Sequence, residues 1–315
     1  MHINVHLPWW VRNLPEQSRF LEGQRFFNHL VDALMKDPDI VLTVSKKPVR
    51  AQFYGPETYC LNHHRSFTRK RNLNVKDAYL RGFFYVDQKG YSGWSEIASR
   101  TFDPAAIDGD AARAYFLNKL WKPFLQPGKS KYPQPDTTPK LPEEFVLVPL
   151  QVPGDQVLKL AFFSQERLLK TLIDQPKLPV VIKLHPVAQK DHPDYCETIK
   201  GLHDPDKGVF VVDGHLHRMI EAARAVVCTN SGAGLEAILL NRPVITCGKT
   251  DYHHLADVVR NPSDLWPTIM KATPPAEDIM HRYAKWFFGE MLIDTHQSPE
   301  IWVAEVMRRI RASGN

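Results

Sequence analysis

Three short stretches of this chain combine residue types that could hold and cleave a phosphate ester. The first, Thr229-Asn230-Ser231-Gly232-Ala233-Gly234-Leu235-Glu236, joins an apolar run to a helical one. Its glycines permit close backbone approach, and the free N–H groups of a helix start attract anions. Ser231 suits a phosphate oxygen there, or equally a plain helix N-cap. The second, Lys183-Leu184-His185-Pro186, closes the apolar run VVIKL. Proline ends that strand and presents His185 at the sheet edge, where an imidazole can donate to phosphate, protonate a departing oxygen, or simply pack. The third is Gln151-Val152-Pro153-Gly154-Asp155. A carboxylate on a Pro-Gly turn serves as base or nucleophile, or caps the helix behind it. The spacing around Ser231 is neither GxGxxG nor GxxxxGK[ST], which disfavours dehydrogenases and kinases.

A fourth stretch lies in the first half, from Tyr79-Leu80-Arg81 through Gly90-Tyr91-Ser92-Gly93-Trp94-Ser95. An Arg, a flexible turn and aromatic faces suit an anionic or sugar ligand, and they also suit inter-domain contacts. Metal signals are poor. Asp37-Pro38-Asp39, Asp108-Gly109-Asp110 and Asp204-Pro205-Asp206 match only a bare DxD, and the paired histidines at 215/217 and 253/254 lack zinc-site partners. No metal is expected.

The elements that must carry these residues are plainest in the second half. Strands are expected over 145–152, 180–184, 209–213, 225–229 and 243–248, alternating with helices over 156–174, up to about 201, 217–223 and 235–241. Apolar runs alternating with helical stretches imply βαβ units and a parallel sheet covered on both faces. The first half suggests a second α/β sheet, with strands at 3–7, 40–44, 58–62 and 79–87 and a helix near 16–35. Helices over 263–272, 276–292 and 299–312 follow, one of them free to cross back and brace the first domain. Gln126–Pro142 holds five prolines in 17 residues and reads as an extended connector. The expected organisation is therefore two Rossmann-like domains, 1–142 and 143–315, with a cleft between them. Ligands should sit beyond the carboxyl ends of the strands.

At 315 residues the chain is long enough for two cores without staples. Cys60, Cys196, Cys228 and Cys247 are widely spaced and expected to be structural thiols. No apolar run reaches membrane-spanning length, and the start MHINVHLPWWVRN lacks a secretory pattern, so a cytoplasmic location is expected. Charge is uneven. Residues 1–142 hold 21 Lys and Arg against 13 Asp and Glu, a balance of +8, and residues 143–315 hold 19 against 22, a balance of −3. The densest basic patch is His63, His64, Arg65, Arg69, Lys70 and Arg71, a lure for anionic partners or a solvated loop. No RNP, helix-turn-helix or zinc-finger pattern accompanies it, so nucleic acid is not the expected partner.

In combination these residues resemble a family. KLHP at 183–186 and VFVVDGHLHRMIEAARAVVCTNSGAGLEAILLNRPVITCGKTDYHH at 209–254 resemble the capsule polysaccharide biosynthesis family of bacterial β-Kdo transferases. VLVPLQVPGD resembles its PLQ…D segment, and AYLRGFFYVDQKGYSGWS is a looser likeness, with Gly82 where that family has proline. The likeness covers roughly residues 145–255. It implies a GT-B-like α/β enzyme of the cytoplasm or the inner face of the inner membrane. The enzyme would take Kdo from the nucleotide sugar CMP-Kdo, without a cofactor, and pass it to an anionic glycan or glycolipid. By resemblance, Asp155 is the catalytic carboxylate of a retaining double displacement. Lys183, His185 and Pro186 hold the nucleotide phosphate, with His185 also catalytic. Ser231, Gly232 and Gly234 complete the anion site, and Glu236 binds the ribose or orients that loop. Arg65, Arg69, Lys70, Arg71, Arg81 and Ser92 would meet the acceptor. Two other readings stay open: another GT-B nucleotide-sugar enzyme (a sialyl- or polyol-phosphate transferase, or an epimerase), and an inactive homologue that binds polysaccharide.

Overall fold

The structure, a computed structural model, describes residues 1–7, 21–45, 55 and 57–314. Strand β1 (His2–His6) is followed by helix α1 (Leu21–Lys36), β2 (Val41–Ser45), β3 (Tyr59–His63), β4 (Asn72–Asp77) and β5 (Phe83–Asp87). After α2 (Gly109–Tyr115) and a wider π-helical stretch over Phe116–Leu125 come β6 (Val146–Pro149), α3 (Gln165–Ile173) and β7 (Val180–Lys183). The chain continues through α4 (Pro186–Asp191), α5 (Pro193–Lys200), β8 (Val209–Val212), α6 (Leu216–Ala222), β9 (Ala225–Cys228) and α7 (Gly232–Leu239). It ends with β10 (Val244–Thr246), β11 (Asp257–Val258), α8 (Leu265–Lys271), α9 (Glu277–Ala284), β12 (Ile293–Asp294) and α10 (Pro299–Ala312).

Two compact units result, Met1–Thr101 with Trp286–Asn315, and Phe102–Lys285. The first unit's sheet has the order β12-β5-β4-β3-β1-β2, with β1 to β4 parallel and β5 and β12 antiparallel to their neighbours. Alternation sorts its strands. Ile3, Val5, Leu61, Leu73, Val75, Phe84 and Val86 pack against α1 and α10, where Phe26 stacks between Phe84 and Trp302 at 4.4 and 5.1 Å. The alternate positions Asn4, Asn62, Asn72 and Asn74 are buried too, and they hydrogen-bond to one another or to nearby groups. That polar row hid β4 from sequence reading, because NLNVKD lacks an apolar run. Of the expected strand 79–87 only 83–87 is a strand, and the expected helix start at 16–20 lies outside the described residues.

The second unit's sheet is wholly parallel in the order β11-β10-β9-β6-β7-β8. Because helices cover both faces, β6, β7 and β9 are buried at every position. Helix α7 reads GAGLEAIL and is buried all round except at its first residue, as an almost uniformly apolar helix must be. The helix expected over 156–174 is broken. Gln156–Leu160 forms a 3₁₀ turn, Ala161 bridges Gly248, the Phe162 amide donates to the Cys247 carbonyl, and α3 starts only after the Ser164 cap.

The units divide at 101/102, not within the proline-rich stretch expected to link them. Residues 102–125 belong with the second sheet because Arg282 of α9 donates to the carbonyls of Pro104 and Ile107. The stretch is extended, as its prolines dictate, but it is a bound strap. Gln134 accepts from the Leu216 amide, the Asp136 carbonyl accepts from Arg218, and Thr137 and Thr138 both accept from the His215 amide. The segment from Trp286 onward returns to the first unit, so 143–315 is split between the two.

Candidate functional site

In the second unit, β6 leads outward to β7 and β8 on one side, and the chain then returns to lay β9, β10 and β11 on the other. This is the 3-2-1-4-5-6 order, and its reversal falls between β6 and β9, where open parallel sheets bind ligands at their carboxyl ends. The three stretches singled out by residue type leave the three adjacent strands β9, β6 and β7 at that edge.

Beyond β6, Gln151 is buried and donates from Nε2 to the Asn230 Oδ1 at 3.0 Å, across the reversal point. Asn230 in turn donates to the Val157 carbonyl at 2.6 Å. This bridge ties the Ser231 helix start to the 3₁₀ turn that Asp155 caps through the Val157 amide at 3.2 Å. Asp155 is half-buried, on the turn made by Gly154 at φ +76. Replacing Asn230 with Ala leaves the Gln151 amide and the Val157 carbonyl without their buried partner. The expected loss is about 1–3 kcal/mol, measured by urea unfolding. An unchanged midpoint would contradict the bridge.

Beyond β9, Ser231 is buried and caps α7, its Oγ accepting from the Ala233 amide at 3.3 Å. Its own O–H proton is not used by that contact and can donate. Tyr252 donates to the Ser231 carbonyl at 2.6 Å and holds the cap in place. Gly232 opens the helix. Gly234 has a packing reason instead, since a Cβ there would lie 2.6 Å from Tyr252 Oη and 3.0 Å from Cys228 Sγ.

Beyond β7, His185 caps α4, its Nδ1 accepting from the Val187 amide at 3.1 Å. An accepting Nδ1 puts the imidazole proton on Nε2. Pro186 supplies the first helical position, which needs no N–H. Lys183, expected to meet phosphate, is buried and paired with Asp213 at 2.7 Å. Its charge is matched inside the protein.

Glu236 is 4% exposed, and both its oxygens have protein partners. Ser130 Oγ donates to one at 2.9 Å, and His217 Nε2 lies 2.6 Å from the other. Sequence reading missed Ser130 and the neighbouring Tyr132, whose ring meets that of His185 edge-on at 4.8 Å. Both lie in the strap, and a proline-rich composition says nothing of where such a segment lies. Burial holds the His215 imidazole below the usual histidine range, with His217 and Arg218 adding to the effect.

The acceptor-side candidates are all in the first unit. Arg65, Arg69, Lys70 and Arg81 are exposed. The loop of Arg65, Arg69 and Lys70 is pinned at Phe67, whose amide donates to Asn74 and whose carbonyl accepts from Asn72 and Asn74. Arg71 pairs with Glu57 at 2.7 Å and lies over the Tyr59 ring. Ser92 is buried at φ +51, 3.0 Å from Tyr79 Oη, in a turn that Asp87 organises by accepting three backbone amides. Desolvation still outweighs those amides and raises the Asp87 pKa above the usual carboxylate range. Counted over the compact units, the first holds 18 Lys and Arg against 13 Asp and Glu, or +5, and the second balances at 22 and 22. Among the described residues no cluster of His, Cys, Asp or Glu is placed to hold a metal, all four cysteines are buried free thiols, and no helix is long and apolar enough to cross a membrane.

Comparison with known proteins adds three findings. Residues 129–285 match the family described as capsule polysaccharide biosynthesis protein. Protein FixF of Sinorhizobium fredii (strain NBRC 101917 / NGR234) is 30% identical over 226 residues, 67% of this chain and 50% of FixF, so the chain spans about half the length of that relative. Two solved structures share the fold, the β-Kdo 2,7 and 2,4 transferases of Thermosulfurimonas dismutans KpsC. The first aligns over 98% of this chain and 99% of its own, with TM-score 0.55 and 15% identity. The second covers 90% of each chain, with TM-score 0.53 and 16% identity. The fold is α/β and GT-B-like, with two Rossmann-like units.

Proposed function

Since residues 129–285 match the family described as capsule polysaccharide biosynthesis protein, we propose that this chain is a glycosyltransferase that moves Kdo from CMP-Kdo to an anionic glycan or glycolipid. The observation that carries this reading is the Gln151–Asn230–Val157 bridge at the β6/β9 reversal. It joins the carboxylate turn to the helix start, with His185 on the next strand.

In this reading the Ser231 hydroxyl, the opening of α7 and the Nε2–H of His185 hold the nucleotide phosphate. Asp155 faces the anomeric carbon and attacks it, the bond to the phosphate oxygen breaks, and CMP leaves with the electron pair. The acceptor hydroxyl then displaces Asp155 from the opposite face, its proton passing to water as the Asp155 carboxylate is released. Two inversions return the starting configuration. CMP is a good leaving group and carries one phosphate, so the proposal includes no metal and no cofactor. Glu236, held by Ser130 and His217, orients the helix start and need not touch the ribose. The acceptor meets the more basic first unit through Arg65, Arg69, Lys70 and Arg81, with Arg71 and Ser92 shaping the surface. Its anionic character would place the enzyme at the inner face of the inner membrane.

The test is incubation of the purified protein with CMP-Kdo generated in situ and synthetic lipid-linked Kdo acceptors, read by mass spectrometry. A gain of one Kdo per acceptor is the expected product. CMP-Kdo left intact across acceptors, with no stabilisation of the protein by CMP, would overturn the reading.

A further inference from the structure

We infer that Gln165 is a positioning residue, the clasp that closes the loop carrying Asp155 and holds that carboxylate in place. The inference rests on the reading of Asp155 as nucleophile and deepens it. Helix α3 buries Leu168, Leu169 and Leu172, and Gln165 precedes them at the same spacing, where an amphipathic helix calls for an apolar side chain. Gln165 is nonetheless only 8% exposed. A buried amide needs partners, and this one has three. Its Oε1 accepts from the Gln151 backbone amide at 2.8 Å, and its Nε2 donates to the Gln151 carbonyl at 3.4 Å and to the Tyr195 hydroxyl at 2.7 Å. Burial pushes the Tyr195 pKa up to about 12, so that hydroxyl brings no charge to the amide.

The strands explain why a side chain does this work. Strand β9 pairs with β6 up to Val226 opposite Leu147 and ends at Cys228, after which the chain turns into α7. On the other side the Leu150 amide donates to the Lys183 carbonyl, the last such bond toward β7. The backbone groups of Gln151 lie past both ladders, and Gln165 gives them the two-point partner that a further strand would have given. The same contact joins residues 14 positions apart and shuts the base of the loop between them. Asp155 lies inside that loop between two anchors, Gln151 gripped by Gln165 and Val157 held by Asn230 at 2.6 Å. Ser231 and His185 lie on other segments, beyond β9 and β7. Opening the clasp therefore shifts the carboxylate and leaves the phosphate donors where they are. A displacement of about 1 Å costs on the order of a hundredfold in rate.

The experiment compares the full chain with Gln165→Met, Gln165→Glu, Tyr195→Phe and Leu172→Ala. It reads Kdo transfer well below every thermal midpoint, CMP affinity, the midpoint itself and amide hydrogen exchange. Gln165→Met keeps the length and loses every hydrogen bond. It is expected to lower kcat by about ten- to a hundredfold, with donor KM and CMP affinity within about threefold of the parent and faster exchange over residues 151–158. Gln165→Glu keeps an oxygen for the Gln151 amide and should recover most of kcat, although its buried carboxylate lowers the midpoint at least as far. Tyr195→Phe removes only the outer bond and should lower kcat by a smaller factor. Leu172→Ala opens the same core away from the loop, and should lower the midpoint with kcat kept. Parent kcat and parent exchange in Gln165→Met overturn the inference and leave the proposed function standing. A kcat loss that tracks the midpoint across the variants, or that is matched by an equal loss of CMP affinity, also overturns it. Where Gln165→Met does not fold, parent kcat in Tyr195→Phe is the overturning result. A parent chain that transfers no Kdo overturns the proposed function. Faster loop exchange in Gln165→Met then still supports the clasp, and unchanged exchange overturns it as well.

Discussion

Replacing Asp155 with Asn is expected to lower Kdo transfer by on the order of 10⁴-fold, the scale of removing a member of a catalytic set, while CMP affinity changes less than threefold. Asparagine is chosen because it separates two roles that share one side chain. Asp155 caps the 3₁₀ turn through the Val157 amide, and an Asn carbonyl caps as well as a carboxylate does. The turn, its tie to Asn230 and the fold should therefore survive, whereas an amide cannot attack the anomeric carbon. Initial rates by mass spectrometry, beside a thermal melt with and without CMP, supply the measurement. Transfer within tenfold of the parent would leave Asp155 as a cap alone.

The second large effect concerns stability. Gly234→Ala is expected to destabilise the second unit by about 1–3 kcal/mol, the usual cost of an added carbon in a filled core. For a unit of this size that lowers the thermal midpoint by several degrees. The new carbon would sit 2.6 Å from Tyr252 Oη and 3.0 Å from Cys228 Sγ. Tyr252 is fully buried, and its hydroxyl holds the Ser231 carbonyl at 2.6 Å. Moving the ring strains the helix start along with the core. Differential scanning calorimetry of the ligand-free protein makes the test, and an unshifted midpoint would show that Tyr252 yields without cost. The resemblance implies a phosphate-site role for Gly234, whose close neighbours are atoms of Tyr252 and Cys228.

How much was legible depends on which surfaces a segment buries. Strands β7 to β10 fall within one or two residues at either end of the apolar runs, and β6 stops three residues short of its run, because a parallel strand covered on both faces has no polar position to blur it. Strand β4 escaped notice for the opposite reason. Asn72 and Asn74 are as buried as their apolar neighbours, and their hydrogen bonds to the Phe67 backbone satisfy them there. The helix expected from Gln156 failed at Ala161–Ser164, where backbone pairing to Gly248 and Cys247, far along the chain, overrode a favourable local spacing.

The order of strands β6 to β10, the residues just past β6, β7 and β9, and the glycine-flanked serine opening a helix follow from the amino-acid sequence alone, since each depends on neighbours a few positions away. Which strand lies beside which, that Lys183 is claimed by Asp213, that Glu236 is held by Ser130, and that the proline-rich stretch is a strap and not a linker were decided only by the tertiary structure. Those side-chain pairings join residues 30 to 106 positions apart. Short-range pattern carries no information about partners at that distance. They are selected by the one packing that satisfies the buried charges and hydrogen-bonding groups together.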